Sequence, residues 1–255
     1  MHRRCIKSVR IHSTNRHEPN LGDFRQRAVN SGVNPLLYWA ARMVLVPFFR
    51  LYFRLEGIGR EHLPSSGPLL LASNHRSFLD PFVIGVIARR PVYYVAKREL
   101  FEHRLQAWFL NALGAFPIDR GASDHDALAT AREILSRGDC VVIFPEGTRV
   151  RPGPLGRAHS GIGRLALETG ARVVPVAVFG TEDVRRGWRI RPRKVRIRCG
   201  VPLAFPRLVA PTPAGARVVT ARVWACVRLQ WEWLGGAATP RERDIQRPRE
   251  EARAA

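Results

Sequence analysis

Two short segments carry residues whose types and spacing suit proton transfer and anion binding. In ASNHRSFLDP, His75 follows an apolar run and Asp80 comes five residues later. A carboxylate at that reach can hold one imidazole nitrogen, fixing the tautomer so that the other nitrogen accepts a proton. The same spacing suits a helix whose first turn Asp80 caps while His75 hydrogen-bonds in the loop. Local sequence leaves both readings open. In FPEGTR (144–149), again after an apolar run, Gly147 permits a tight turn, with Glu146 and Arg149 on either side of it. A guanidinium there can grip a phosphate bidentately, the alternative being a surface ion pair. GAFPIDR (114–120) ends in Arg120, a second guanidinium that can converge on the same anion. Lys97, the only lysine between residues 8 and 193, offers a compact ammonium for phosphate or for an exposed salt bridge.

These residues need elements to hold them, and the hydrophobic pattern supplies a set. PLLLAS (68–73), PVYYVA (91–96), CVVIFP (140–145), RVVPVAVFG (172–180) and the alternating KVRIRCG (194–200) read as strands. Stretches 80–90, 103–114, 124–138, 160–170 and about 214–234 read as helices, three of the first four ending on or just before glycine. Strands alternating with helices predict an α/β fold, with a mostly parallel or mixed central sheet flanked by helices. Open sheets of this kind place their sites at strand ends, where His75 and the 144–149 loop fall.

Ahead of this domain, NPLLYWAARMVLVPFFRLYFRLEG is apolar except for Arg42, Arg50 and Arg54. At 100° per residue the three arginines share one stripe, which predicts an amphipathic, membrane-associating helix with guanidinium groups at lipid phosphates. The bland alternative is a helix packed on its own domain. Pro47 is expected to kink it. The expected organisation is a disordered basic tail over 1–32, an interfacial anchor helix over 33–56, the α/β domain over 57–235 and a disordered tail over 236–255.

The 255 residues hold 42 Lys plus Arg against 21 Asp plus Glu, a formal charge of +21, with 45% apolar residues. That composition is globular. No uninterrupted apolar run reaches the roughly 18 residues of a spanning helix. Nearly all the positive charge is arginine, and it attracts polyanions: nucleic acid, anionic lipid or phosphorylated substrates. The four cysteines, at 5, 140, 199 and 226, show neither C-x-x-C spacing nor paired histidines, so no zinc site or disulfide framework is expected. Residues 1–17 lack the apolar stretch of a secretory signal. No RNP aromatic motif or zinc spacing marks a nucleic-acid module, and no G-x-S-x-G elbow marks an α/β-hydrolase.

NHRSFLD, GAFPIDR, FPEGTR and VVPV, in that order and at these intervals, resemble the four blocks of the 1-acylglycerol-3-phosphate acyltransferase family, over roughly residues 56–202. The resemblance implies acyl transfer from a thioester, acyl-CoA or acyl carrier protein, to the free hydroxyl of a lysophospholipid, with no metal and no bound cofactor. It implies His75 and Asp80 as the catalytic pair and Lys97, Arg120, Glu146, Gly147 and Arg149 as the phosphate-binding set, with Pro175 as the fourth-block proline. The expected setting is peripheral or monotopic on the cytoplasmic face of the cell membrane, with bilayer lipid as partner and no nucleic acid. Two departures stand out. Val150 replaces the usual serine after Arg149, and HSG (159–161) stands where a basic-glycine element is usual. Another acceptor (glycerol-3-phosphate, another lysophospholipid or a lyso-aminolipid) is the nearest alternative. A non-enzymatic basic protein that binds membrane or nucleic acid is the distant one.

Overall fold

The structure is a computed structural model and describes residues 21–118, 124–150 and 153–236. Its centre is β2 (Leu69–Ser73), five consecutive buried residues between β5 (Cys140–Ile143) and β6 (Arg172–Phe179), both parallel to it. Outward from β5 lie β3 (Val92–Lys97) and β4 (Ala115–Ile118), again parallel. Outward from β6 lie β9 (Arg196–Cys199), antiparallel to β6, and then β1 (Glu56–Ile58), parallel to β9. The sheet is therefore mostly parallel, in the order β1-β9-β6-β2-β5-β3-β4. The five strands from β6 to β4 all end on one edge.

Period-two alternation splits the core into two faces. Leu70 and Ala72 of β2 face one apolar cluster with α5 (Asp124–Ser136), α6 (Gly161–Thr169) and α7 (Pro213–Trp233). Leu69 and Leu71 face the other, with α3 (Asp80–Ile87) and the end of α2 (Pro35–Tyr52). A strand buried on both faces reads as a continuous apolar run, which is why LLLA was legible. The α6–α7 approach depends on Gly163, where a Cβ would lie 2.0 Å from the Ala216 carbonyl oxygen.

The expected strands and helices appear within a few residues of their bounds, and two differences are informative. The expected disordered tail is helical at its end: α1 (Leu21–Asn30) buries Phe24 and Ala28, spaced four apart on one face, against α4 (Arg104–Ala112) and β4. Only four of its ten residues are apolar, in an otherwise polar segment, and that made the helix faint in sequence. The AFPI of GAFPIDR forms β4, a strand that Pro117 and the preceding Gly114 disguise. α2 runs for 18 residues with Pro47 inside it, from an N-cap at Asn34, whose side chain accepts from Leu37 N–H. Residues 1–20 and 237–255 lie outside the described residues, as does the expected tail over most of its length.

The arginine stripe of α2 is corrected at one position, while Arg50 stays exposed. Arg42 turns inward, its guanidinium donating to the carbonyls of Gly85 and of Val86 (3.0 Å) at the last turn of α3. Those carbonyls have no partner within their own helix. Leu36, Met43, Val44 and Leu51 instead form an exposed apolar stripe on the opposite side. No helix among the described residues is long and apolar enough to cross a membrane.

Candidate active site

β2 gives way to the site through a side chain. The Asn74 carboxamide donates to Val178 O (2.9 Å) and accepts from Val178 N–H (2.8 Å), so sheet pairing with β6 continues after the main chain has turned away. His75 follows at the mouth of the edge, its side chain 18% exposed. Its ring stacks on Phe144 at 4.1 Å.

Asp80 is fully buried and its carboxylate is surrounded by donors. Oδ2 accepts from His75 Nδ1 (2.9 Å) and from the amides of Arg76 (2.7 Å) and Ser77 (2.8 Å). Oδ1 accepts from Thr181 Oγ1 (2.6 Å), which arrives from just past the end of β6. Both amides precede α3, so Asp80 closes the 75–80 loop on itself and does not cap the helix it begins. Facing a carboxylate, Nδ1 carries the ring proton and Nε2 is the acceptor. The geometry therefore resolves the two readings in favour of an oriented imidazole.

The neighbouring strand end brings the second segment. Gly147 adopts φ +66°, a left-handed conformation that suits glycine, and its N–H closes a turn onto Phe144 O (3.0 Å). Val150 N–H donates to His75 O (2.9 Å), tying the loop to the histidine. Arg149, between them, is exposed at the same mouth. The HSG segment also arrives here: His159 N–H donates to Pro145 O (2.8 Å), and its ring lies beside Gly147.

Glu146 takes a different part from the one expected of it. It is buried, with Oε2 accepting from His75 N–H and Oε1 from Gly156 N–H, both at 2.7 Å. Burial pushes its carboxyl above the ordinary value, against the pull of those two amides and of the nearby Arg76 charge. An inward carboxylate of this kind staples two loops and is no ligand for a phosphate. Lys97 ends β3, one strand beyond β5, and is half-buried on the same edge. Arg120 lies outside the described residues. Pro175 is buried in β6 opposite Ala72, and its carbonyl accepts from Gly200 N–H (2.8 Å).

Asn74, Thr181 and Gly156 escaped sequence reasoning as site residues. The available signal for Thr181 was its place immediately after an apolar strand, the position that singled out His75. Between α2, α3 and β3 there is also a shallow, open and mostly apolar cleft, lined by Leu45, Phe82, Val86 and Tyr94 among others. Among the described residues no group of three His, Cys, Asp or Glu side chains is arranged to hold a metal ion.

Comparison with known proteins bears on this geometry. The family model described as Acyltransferase matches residues 54–179. The chloroplastic 1-acyl-sn-glycerol-3-phosphate acyltransferase of Arabidopsis thaliana is 34% identical over 149 residues, 57% of this chain and 40% of that protein. The 1-acyl-sn-glycerol-3-phosphate acyltransferase of Bacillus subtilis is 31% identical over 146 residues, 56% of this chain and 71% of its own length. The chain belongs to the 1-acylglycerol-3-phosphate acyltransferase family. It spans about two fifths of the length of the plant member of that family. The crystal structure of the acyltransferase PlsC from Thermotoga maritima superposes with a TM-score of 0.62 at 22% identity, covering 86% of this chain and 89% of that one. The acyltransferase fold, a mostly parallel sheet with helices on both faces, is thus shared across distant sequences.

Proposed function

We propose that this protein transfers a fatty acyl group from an acyl thioester to the free hydroxyl of 1-acylglycerol-3-phosphate, giving phosphatidic acid at a membrane surface. The observation that carries this reading is the His75–Asp80 pair, held by buried donors and opening beside the exposed Arg149. The substrate class comes from the named relatives.

In this reading His75 Nε2 takes the hydroxyl proton as the oxygen attacks the thioester carbonyl. A C–O bond forms, and collapse of the tetrahedral intermediate breaks the C–S bond. The leaving thiolate receives the proton from the imidazolium, which Asp80 stabilises meanwhile. General-base assistance of this kind is worth roughly 10²–10⁴-fold. Arg149, joined by Lys97 and Arg120, anchors the acceptor phosphate and so positions its hydroxyl. Peptide N–H groups of the 147–150 turn other than those of Gly147 and Val150, which serve Phe144 O and His75 O, are candidate oxyanion donors. The apolar lining of the cleft beside α3 suits contact with an acyl chain. The donor is acyl-CoA or acyl carrier protein, with no further cofactor. The apolar stripe of α2 supports a peripheral or monotopic position on the cytoplasmic face of the membrane.

The decisive experiment is thiol release from one acyl-CoA across a panel of lysolipids, with wild type and His75→Ala. Release that depends on lysophosphatidate and on His75 is the expected result. Full activity of His75→Ala sinks the mechanism. A preference for another lysolipid changes the acceptor, and salt-sensitive DNA retention with no thiol release favours the non-enzymatic reading.

A further inference from the structure

The strands β7 (Arg185–Arg186) and β8 (Arg189–Ile190) form a two-stranded antiparallel hairpin outside the main sheet, with Gly187 and Trp188 at its tip. Trp188 is 83% exposed, so its indole contributes little to the fold that holds it. Across 185–198 the sequence carries eight basic residues and no acidic one. Three of these are occupied elsewhere. Lys194 pairs with Glu56 (2.8 Å), Arg196 lies over Phe179 (5.0 Å), and Arg198 lies over Trp233 (3.9 Å). Exposed positive charge is left around the tip at Arg185, Arg189 and Arg193. Arg185 braces the turn through Gly187 O (2.8 Å), and Arg189 lies over the Trp188 ring at 5.1 Å.

The hairpin is attached to α2. Tyr52 Oη donates to Ile190 O (3.0 Å), and the Tyr52 ring stacks on Phe48 at 5.3 Å. An apolar path therefore runs from the exposed side of α2 through Phe48 and Tyr52 to Ile190 and Trp188.

We propose that this hairpin is a second membrane contact, an arginine-bearing, tryptophan-tipped finger that binds anionic lipid headgroups beside α2. The inference rests on the membrane-surface reading of α2 given above. Indole and phenol rings settle at the level of the headgroups, and guanidinium groups next to them meet lipid phosphates. Each arginine held near an anionic surface strengthens binding by about fivefold. A nucleic-acid groove would explain the arginines but not the apolar continuity with α2.

The test is co-sedimentation of the purified full chain with phosphatidylcholine vesicles and with vesicles of equimolar phosphatidylcholine and phosphatidylglycerol. Trp188→Ala should bind both several-fold more weakly. Arg185→Gln with Arg189→Gln should lose about tenfold or more on the anionic vesicles and little on the neutral ones. Acyl transfer to detergent-dispersed lysophosphatidate should stay at the wild-type level in both, since neither variant touches the site. If both variants bind anionic vesicles as wild type does, the hairpin proposal is wrong while the α2 reading stands. If wild type sediments with neither vesicle, both fall together. Variants that keep vesicle binding but lose DNA retention would make the finger a nucleic-acid surface and overturn the proposal.

Discussion

At the scale of residues, the site depends on two carboxylates with different tasks. Asp80 faces the imidazole, and one of its four donors is the Thr181 hydroxyl. A hydrogen bond to a charged group contributes about 1.5–3 kcal/mol. Thr181→Val should therefore lower kcat about tenfold or more with little change in KM, and Thr181→Ser should recover most of it; steady-state kinetics with varied acceptor decide this. Glu146 instead accepts two amides. Glutamine has one acceptor and one NH₂, so in Glu146→Gln one amide meets another donor, at a cost of about 1–3 kcal/mol. The pH dependence follows from the raised carboxyl. The folded state binds that proton more tightly than the unfolded chain, so the stability it confers is complete below the ordinary value of 4.5. It is lost as pH rises through the raised folded value. Urea melts across this acidic range should show that decline in wild type and its absence in Glu146→Gln.

At the scale of elements, Arg42 joins α2 to α3, the helix that Asp80 begins. Arg42→Met keeps the stem but strips two carbonyls of their donors. It should cost about 1–3 kcal/mol in a denaturant melt, and it should slow acyl transfer in detergent as well as on vesicles. The sequence displayed those elements whose burial is written into runs of apolar residues, β2 and β6 above all. It concealed β4 behind a glycine and a proline, and α1 behind its polar surface. The site was legible to the same degree and for a related reason. His75 and Asp80 are five residues apart, so their pairing is a local fact. Thr181 reaches Asp80 across 101 residues, and only the sheet order makes them neighbours. Arg42 was misassigned because a helical wheel shows which residues share a side, not which side the domain covers.

At the scale of the whole molecule, a formal charge of +21 meets an exposed apolar stripe on α2. The two attractions differ in their response to salt. At about 0.15 M ionic strength the screening length is about 8 Å, and at 1 M it is about 3 Å. Binding to vesicles containing phosphatidylglycerol should therefore weaken markedly between those conditions. The residual binding to pure phosphatidylcholine, driven by apolar burial, should hold or rise slightly. Equal salt sensitivity on both vesicle types in a flotation assay would contradict this division.

The Asn74 carboxamide that pairs with Val178 has a consequence for how the main-chain donors are divided. A peptide N–H has one direction and can serve one acceptor well. Had β2 run one rung further through its own backbone, the chain would have stayed in the sheet where it now turns toward the edge. By lending a counterfeit peptide to β6, Asn74 extends the ladder and releases the backbone that follows. The next three amides are then free to address carboxylates: His75 to Glu146, Arg76 and Ser77 to Asp80. An aspartate there, lacking the NH₂, would leave Val178 O without its donor and set a third acid against the other two.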